Sequence, residues 1–281
     1  MLKQRVVTAL VLLALLLPAM AAATPWPFAL LTLAFIGAAG WEWGRLNGLP
    51  PAGAVTLGLA VLVLCAAALG AGWVADPPAA LWILALLVWV LGGAYGLRIG
   101  VAGWARLARP VRVALGVLAL VPAWLALSHA RHDGINFLLS VLCLVWVADI
   151  AAYFGGRALG RRKLAPAISP GKSWEGVWSG MAGVLLLALA WPALVDGRPW
   201  ADSMSLFGLL GARLGVPLAA LALVFLAAMS VVGDLVESLV KRAAGAKDSS
   251  ALLPGHGGVL DRIDALLPVV PIALALAGLA A

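Results

Sequence analysis

Charged side chains are dense between residues 238 and 264, in a segment flanked by strongly apolar runs. Its sequence is SLVKRAAGAKDSSALLPGHGGVLDRID, and two further acids, Asp234 and Glu237, lie just upstream within an apolar run. A charged group is costly to keep in or beside lipid unless it is paired, hydrated or bound to a metal. The segment therefore predicts a functional site.

The spacing of these residues indicates which of them share a helix face. Four residues follow the spacing i, i+3, i+4 and i+7: Asp234, Glu237, Ser238 and Lys241. Asp261 and Asp264 also stand three apart, and side chains at such spacings lie on one side of a helix. Acids on two helices, with no thiolate or histidine pair among them, favour a hard, oxygen-preferring cation such as Mg²⁺. Four nearby basic residues supply the charge that a phosphate needs: Lys241, Arg242, Lys247 and Arg262.

A second polar loop, residues 155–173, is also strongly basic. It ends in Gly171-Lys172-Ser173, which imitates the end of a phosphate-binding P-loop. The glycine that a P-loop requires five positions earlier is Pro166, and no strand is predicted before it, so we reject that interpretation. An anion site at a helix start remains the prediction. Asp149, four residues before Tyr153 near the end of the preceding apolar run, is expected to be functional as well.

The composition places these segments in a membrane protein. The chain of 281 residues is 64% hydrophobic and 11% charged, with a mean hydropathy of +1.07. Soluble domains are about 45–50% apolar and about 25% charged. The net charge of +7 lies in short loops between apolar runs, a distribution that sets membrane orientation, so we expect no nucleic-acid partner. Cys65 and Cys143 fall within apolar runs and are expected to be buried thiols.

Hydropathy predicts an all-α polytopic integral membrane protein with about nine transmembrane helices. The predicted spans are about residues 6–23, 26–45, 54–74, 79–97, 113–128, 135–154, 174–195, 216–241 and 263–281. Ala21-Ala22-Ala23 could end a cleaved signal peptide, but the first run is long and more spans follow, so we expect it to be retained. We divide the chain into a scaffold, residues 1–133, and a catalytic part, residues 134–281.

The basic residues also predict the orientation of these helices. With the N-terminus in the cytoplasm, 16 of the 19 Lys and Arg residues fall on the inner side and 3 on the outer side. Membrane proteins carry an excess of Lys and Arg on the cytoplasmic side, so this asymmetry supports a cytoplasmic N-terminus. It places loops 155–173 and 241–262 together on the cytoplasmic face, where they could form one site.

Other polar positions favour structural roles. Residues 41–45, WEWGR, are typical of an interfacial anchor, and the glycines at 176, 180 and 183 are typical of close helix packing. His129 and His132 could begin a metal site, but nothing in the sequence completes it, so a solvated loop over residues 129–134 is favoured. Residues 196–202 suggest little chemistry.

The polar positions of residues 238–264 resemble the signature of the phosphatidate cytidylyltransferases, or CDP-diacylglycerol synthases. The matching pattern is Ser238-x-x-Lys241-Arg242, Lys247-Asp248 and Pro254-x-His256-Gly257-Gly258-x-x-Asp261-Arg262-x-Asp264. Residues 149–153 and 168–176 are also similar to segments of that family. By motif the resemblance covers about residues 145–264.

The resemblance implies transfer of the cytidylyl group of CTP to phosphatidic acid, which gives CDP-diacylglycerol and pyrophosphate for phospholipid biosynthesis. It implies metal ligands among Asp234, Asp261, Asp264 and Asp248. It implies catalytic roles for Lys172, Lys241, Arg242, Lys247, His256 and Asp261, and substrate binding by Ser169, Ser173, Lys172, Arg242, Lys247 and Arg262. The residues alone predict at least one Mg²⁺, whereas the resemblance implies a dinuclear centre that could include a monovalent cation.

Two other functions remain open at this point. A CTP-dependent polyprenol-type lipid kinase would use similar acids and bases, and an ion-coupled transporter would also need acids in the membrane. A transporter, however, should place its acids near the middle of the bilayer. The expected setting is the inner membrane of a bacterial cell, with the site facing the cytoplasm. A homodimer is left open.

Overall fold

The computed structural model describes residues 2–279, and these form a bundle of helices with one small β-hairpin. The helices are α1 (Leu2–Ala21), α2 (Trp26–Leu46), α3 (Pro51–Gly70), α4 (Ala79–Arg106), α5 (Arg109–Asp133), α6 (Ile135–Leu159), α7 (Trp174–Asp196), α8 (Leu206–Ala243) and α9 (Leu260–Leu279). All except α2 are long and apolar enough to cross a membrane. The protein is therefore an all-α polytopic integral membrane protein, as predicted.

Two of these helices are interrupted at glycines. Gly100 in α4 has φ 66° and Gly215 in α8 has φ 75°, a backbone conformation that glycine adopts without a steric penalty. The break at Gly100 comes just after the predicted end of span four, and the break at Gly215 comes just before the predicted start of span eight. The apolar pattern therefore located both transmembrane segments.

Small residues allow the helices to approach closely. A Cβ atom added to Gly176 or Gly180 would lie 2.8 Å from a carbonyl oxygen of α6, that of Ala152 or Ala148 respectively. Gly183 is equally close to Ala151. The packing role predicted for these glycines is confirmed, and it fixes α7 against α6.

The β-hairpin lies in the loop between α6 and α7 and was not predicted. Strands β1 (Lys163–Ala165) and β2 (Ser169–Ser173) are antiparallel, and Lys163 pairs with Ser173. Ile168 in the turn is buried and its N–H donates to the Ala165 carbonyl at 3.1 Å. The hairpin therefore holds the basic loop in a fixed shape. We call the end of the bundle that carries residues 155–173 and 241–262 the basic end.

At the opposite end, the prediction of a solvated loop over residues 129–134 is wrong. Helix α5 continues to Asp133, so His129 lies in its last turns and donates from Nδ1 to the Val74 carbonyl at 2.8 Å. Arg131 is buried and donates to the Met20 and Ala22 carbonyls. These contacts to backbone carbonyls explain why the helix does not end at Ser128.

The prediction of an interfacial anchor over residues 41–45 is wrong for its central residues. Glu42 and Trp43 are buried inside the bundle, and Trp43 donates to the Arg112 carbonyl at 2.8 Å. Only Trp41 and Arg45 are exposed enough to fit the prediction. The Arg45 guanidinium lies 4.7 Å from the centre of the Trp41 ring. A buried carboxylate at this position needs partners, which the basic end supplies.

Candidate functional site

Residues of the first polar loop, 155–173, line a cavity of about 650 Å³ at the basic end, together with residues of three helices. Its polar lining comes from α6, β2 and α8: Asp149, Tyr153, Arg157, Ser169, Lys172, Ser173 and Asp234. Three elements that are distant in the chain therefore contribute side chains to one space.

An ion pair across this cavity joins the hairpin to α8. Lys172 Nζ lies 2.6 Å from Asp234 Oδ2, and the Ser238 hydroxyl donates to Asp234 Oδ1 at 3.2 Å. Asp149 and Asp264 are close enough for their charges to interact with both members of the pair. Three carboxylates thus lie near one ammonium group, and a further cation could balance their excess negative charge.

Gly233 explains why Asp264 can lie so near Asp234. A Cβ atom at this position would collide with the Asp264 carbonyl oxygen and would lie 2.9 Å from Pro268 Cδ. The absence of a side chain lets the start of α9 pack directly on α8. The two acids predicted from spacing on separate helices are therefore neighbours in space.

A second ion cluster lies one turn further along α8. Lys241 Nζ is 2.6 Å from both Glu237 Oε2 and Asp261 Oδ1, and the Lys241 side chain is only 11% exposed. Asp261 Oδ2 accepts hydrogen bonds from the Ser249 N–H, the Ser249 hydroxyl and the Gly258 N–H at 2.8–2.9 Å. Asp261 therefore ties α8, the loop and α9 together.

Glu237 is the least satisfied member of this cluster. Its side chain is 3% exposed, and apart from the ion pair with Lys241 neither of its oxygens has a hydrogen-bond partner among the described residues. Burying a carboxylate oxygen without a partner is unfavourable. Glu237 is thus a candidate for contact with a bound cation.

The predicted phosphate-binding residues of the first loop lie around the cavity. Ser169, Lys172 and Ser173 all line it, and the Ser173 hydroxyl also accepts from the Gly176 N–H at 3.2 Å and so caps α7. Arg242 donates from Nε to the Ile168 carbonyl at 3.3 Å, which fastens the hairpin turn to the end of α8. Arg242 Nη1 donates to the Ala246 carbonyl at 3.1 Å, and the residue is exposed, so Nη2 can face a ligand.

The predicted residues of the second loop lie around its glycine turn. Lys247 and Asp248 are exposed. Arg262 is exposed too, and it donates from Nε to the His256 carbonyl at 3.0 Å. His256 is half-buried, with Nδ1 unpartnered among the residues described. None of these four lines the cavity, so the structure brings together only part of the predicted set.

Sequence reasoning missed Glu42 as a component of this site. Its side chain is completely buried, and its two oxygens accept from the Val259 N–H at 2.9 Å and the Leu260 N–H at 2.8 Å. They also accept from the hydroxyls of Ser249 and Ser250. A carboxylate at the first N–H groups of a helix is favourable because those groups lack helical partners. Glu42 therefore caps α9 from 217 residues away.

Comparison with known proteins gives this arrangement a context. The model of the family described as "Cytidylyltransferase family" matches residues 3–280. The chain belongs to this family. It is 43% identical over 281 residues to a phosphatidate cytidylyltransferase of Pseudomonas aeruginosa, an alignment that covers 98% of this chain and 97% of that protein.

Two further relatives carry the same name. A phosphatidate cytidylyltransferase of Haemophilus influenzae is 40% identical over 300 residues, with 96% of each chain covered. One of Staphylococcus aureus is 39% identical over 144 residues, which is 51% of this chain and 50% of the relative. The resemblance proposed from the polar motifs is therefore confirmed at the level of the family.

The chemistry available to this family member follows from its charges. Lys172 and the exposed Arg242 can attract anionic phosphates, while the acids around Asp234 can hold a cation against them. No three of these carboxylates place ligand atoms within 4.8 Å of one another in residues 2–279. Phosphate oxygens or water would therefore supply part of any ion's coordination.

Proposed function

We propose that the chain transfers the cytidylyl group of CTP to phosphatidic acid, releasing pyrophosphate. A phosphate oxygen of phosphatidic acid attacks the α-phosphorus of CTP, and the bond between that phosphorus and the oxygen bridging to the β-phosphorus breaks. The observation that carries the proposal is the Lys172–Asp234 pair inside a cavity at the basic end, in a chain nearly coextensive with proteins of this name.

The residues fit the requirements of this reaction. The attacking phosphate is already an anion, so a strong general base is unnecessary. The main barrier is repulsion between two anions, which cationic side chains lower by neutralising charge on the phosphoryl groups. Lys172 lines the cavity, and Arg242, Lys247 and Arg262 lie at the same end of the bundle. We assign substrate phosphate binding to these four residues.

We further propose a Mg²⁺ site at Asp234 and Asp264, with Glu237 and Asp149 beside it. Two observations support this assignment: apart from the ion pair with Lys241 the Glu237 oxygens have no hydrogen-bond partner among the described residues, and carboxylates outnumber ammonium groups here. When bound, Mg²⁺ supplies further neutralisation of phosphate charge. Asp261 stays a predicted ligand: three donors lie within hydrogen-bond distance of Oδ2, and Oδ1 accepts from Lys241 Nζ at 2.6 Å, so a metal would take the remaining lone pair of Oδ1. Asp248, and a monovalent cation as second ion, also stay predictions.

The proposed setting is the inner membrane of a bacterial cell, with the basic end in the cytoplasm. The division of Lys and Arg residues, 16 to 3, supports this orientation, and the relatives are bacterial. CTP would then reach the cavity from the cytoplasm while phosphatidic acid arrives from the bilayer. A homodimer stays a prediction, which light scattering on detergent-solubilised protein would test.

The function is tested with purified protein, Mg²⁺, phosphatidic acid and CTP labelled at either the α- or the γ-phosphate. Cytidylyl transfer puts the α-label into lipid and the γ-label into pyrophosphate. A lipid kinase would instead put the γ-label into lipid and release CDP. Absence of α-labelled lipid under conditions where the protein is folded would refute the proposal.

A further inference from the structure

Three side chains at the opposite end of the bundle form a group unrelated to the cavity. His129 Nε2 lies 3.6 Å from Asp133 Oδ2, and His132 Nδ1 lies 3.9 Å from Asp133 Oδ1. Within residues 2–279 this is the only set of three His, Cys, Asp or Glu side chains whose ligand atoms all lie within 4.8 Å of one another. His129 lies 17 residues after Arg112 on α5. The helix therefore separates the group from the basic end by about 25 Å.

The hydrogen bond of His129 fixes which of its nitrogens can bind a ligand. Nδ1 lies 2.8 Å from the Val74 carbonyl oxygen, which can only accept, so the proton must be on Nδ1. The lone pair of Nε2 is then free on the side that faces Asp133. A backbone carbonyl on the non-ligating nitrogen is the usual outer partner of a metal-bound histidine.

The neighbours of the group also suit an ion. The Trp82 ring stacks on His129 with centroids 6.2 Å apart, which limits rotation of the imidazole. Arg131, the adjacent cation, is turned away, because its donors bind the Met20 and Ala22 carbonyls. His132 lines a cavity of about 310 Å³ that gives a hydrated ion access.

We propose that His129 Nε2, His132 Nδ1 and Asp133 bind a transition-metal dication of the zinc class. Two imidazoles and one carboxylate suit Zn²⁺, and hardly suit Mg²⁺. Tetrahedral Zn²⁺ with bonds of about 2.0–2.1 Å places its ligand atoms about 3.3 Å apart. The two spacings of 3.6 and 3.9 Å involve different oxygens of Asp133 and would contract by about 0.3 and 0.6 Å, and all ligand atoms of the group already lie within 4.8 Å of one another. Three protein ligands leave the fourth position to water.

The test is a Zn²⁺ titration of the full chain, free of any polyhistidine tag, by calorimetry. Excess Mg²⁺ is present to occupy oxygen-ligand sites. We expect one Zn²⁺ per chain, and an affinity at least about 10–100-fold lower in His132→Ala and in Asp133→Asn. The matched controls are His256→Ala, the third histidine of the chain, and Asp76→Asn, an exposed acid between α3 and α4. Both controls should bind Zn²⁺ like wild type.

Two results would overturn this site. One is the absence of stoichiometric Zn²⁺ binding by the folded wild-type chain, which would leave the group as an ordinary histidine–aspartate ion pair. The other is binding that His256→Ala removes and His132→Ala does not. Co²⁺ absorption gives an independent readout, since histidine ligation produces visible bands that Asp133→Asn should alter.

A second inference concerns Glu42 and rests on the proposed function. All four of its hydrogen-bond donors come from residues 249–260, the segment that immediately precedes Asp261. The Ser249 hydroxyl lies 3.1 Å from Glu42 Oε2 and 2.9 Å from Asp261 Oδ2, so its single hydrogen can serve only one carboxylate at a time. Gly258 packs against the same carboxylate, because a Cβ atom there would collide with Glu42.

We infer that Glu42 is a positioning residue for cytidylyl transfer, acting through the loop and Asp261. Glu42→Gln replaces one carboxylate oxygen by an NH₂ group, which cannot accept from the backbone N–H groups of the loop. The loop then loses its anchor while the helices keep their shape. A displacement of about 1 Å in a reacting group can lower the rate about 100-fold, so we expect kcat to fall by roughly 10–100-fold. The KM for phosphatidic acid should change little.

Three measurements separate positioning from a purely structural role. Hydrogen exchange should quicken at the Val259 and Leu260 amides and not in α6, and Glu42→Asp should recover part of kcat. Ser250→Ala removes one donor without touching the backbone and should give a smaller fall in kcat, which keeps the test valid if Glu42→Gln unfolds. A kcat in Glu42→Gln within about twofold of an active wild type would contradict the inference. An inactive wild type would refute the proposed function instead.

Discussion

Lys172 in the β-hairpin and Asp234 in α8 are joined by a 2.6 Å contact that closes one side of the cavity. The two residues are predicted to act as one unit, with Asp234 orienting the ammonium group as well as holding a cation. Lys172→Ala should lower kcat by about 10²–10³-fold, the usual cost of removing one preorganised charged donor. Rates of Lys172→Ala, Asp234→Ala and the double variant should be non-additive, with the double variant about as slow as the slower single. Full additivity would show that the pair does not work together.

Asp261→Asn should reduce turnover by orders of magnitude while the protein still folds. The change removes the charge that pairs with Lys241 Nζ at 2.6 Å and places an amide where three donors converge on Oδ2. Steady-state kinetics, with size-exclusion chromatography and circular dichroism as controls for folding, measures the effect. Near-normal activity would remove Asp261 from the proposed metal site.

Glu237→Gln should raise the Mg²⁺ concentration needed for half-maximal activity by about 10-fold. The reason is that Glu237 lies beside Asp261 and Lys241, and apart from the ion pair with Lys241 its oxygens have no hydrogen-bond partner among the described residues. Activity is titrated with Mg²⁺ at saturating CTP, and the exposed Asp76→Asn serves as the control. An unchanged Mg²⁺ dependence would limit Glu237 to its ion pair with Lys241.

Asp202 should make the stability of the opposite end depend on pH. Burial raises the pKa of Asp202, but hydrogen bonds from the Asn136 and Ile135 N–H groups and from Ser203 outweigh it and lower that pKa below its ordinary value of 3.8. A pKa lowered by folding contributes stability that is present above the unfolded value and is lost as the pH falls through the folded value.

The measurement is the unfolding temperature of wild type and Asp202→Asn in detergent. We expect the wild type to be more stable near neutral pH by about 0.5–1 kcal/mol, because Asp202 is exposed and solvent screens its charge-assisted hydrogen bonds. The difference should shrink as the pH falls below about 4. A difference that stays constant down to about pH 3 would contradict the assignment.

His132→Ala should leave cytidylyl transfer unchanged, within about twofold of wild type. The residue lies at the opposite end of the bundle, where it contacts Asp133 and stacks against His129. Turnover of His132→Ala is measured in the assay used for Lys172→Ala. His132→Ala then serves as the expected active variant and Lys172→Ala as the expected impaired one. A large loss of turnover would mean that the two ends are coupled.

The transmembrane helices and the side-chain contacts along α8 could be predicted because their signals are local. Apolar runs of about 20 residues are long enough to span a bilayer. Gly100 and Gly215 mark the breaks because few other residues adopt their backbone angles. The i, i+4 spacing likewise brought Asp234 to Ser238 and Glu237 to Lys241, contacts that the structure contains.

The rest depends on contacts between distant parts of the chain. Glu42 sits in an apolar helix next to tryptophans, so its sequence context is typical of an interface, and only the fold reveals its donors at residues 249–260. The last turn of α5 is held by the Val74 carbonyl, which no local pattern encodes. The β-hairpin is also too short to produce a periodic signal.

The central claim is that CTP reacts in the cavity between the hairpin, α6 and α8. A photoreactive CTP analogue, cross-linked to the purified protein with phosphatidic acid absent, tests it most directly by mapping the labelled peptides. We predict label in residues 155–173 and in residues 234–262, displaced by excess CTP and lost in Lys172→Ala. Specific label confined to the opposite end, around residues 129–136 or 196–205, would contradict the account.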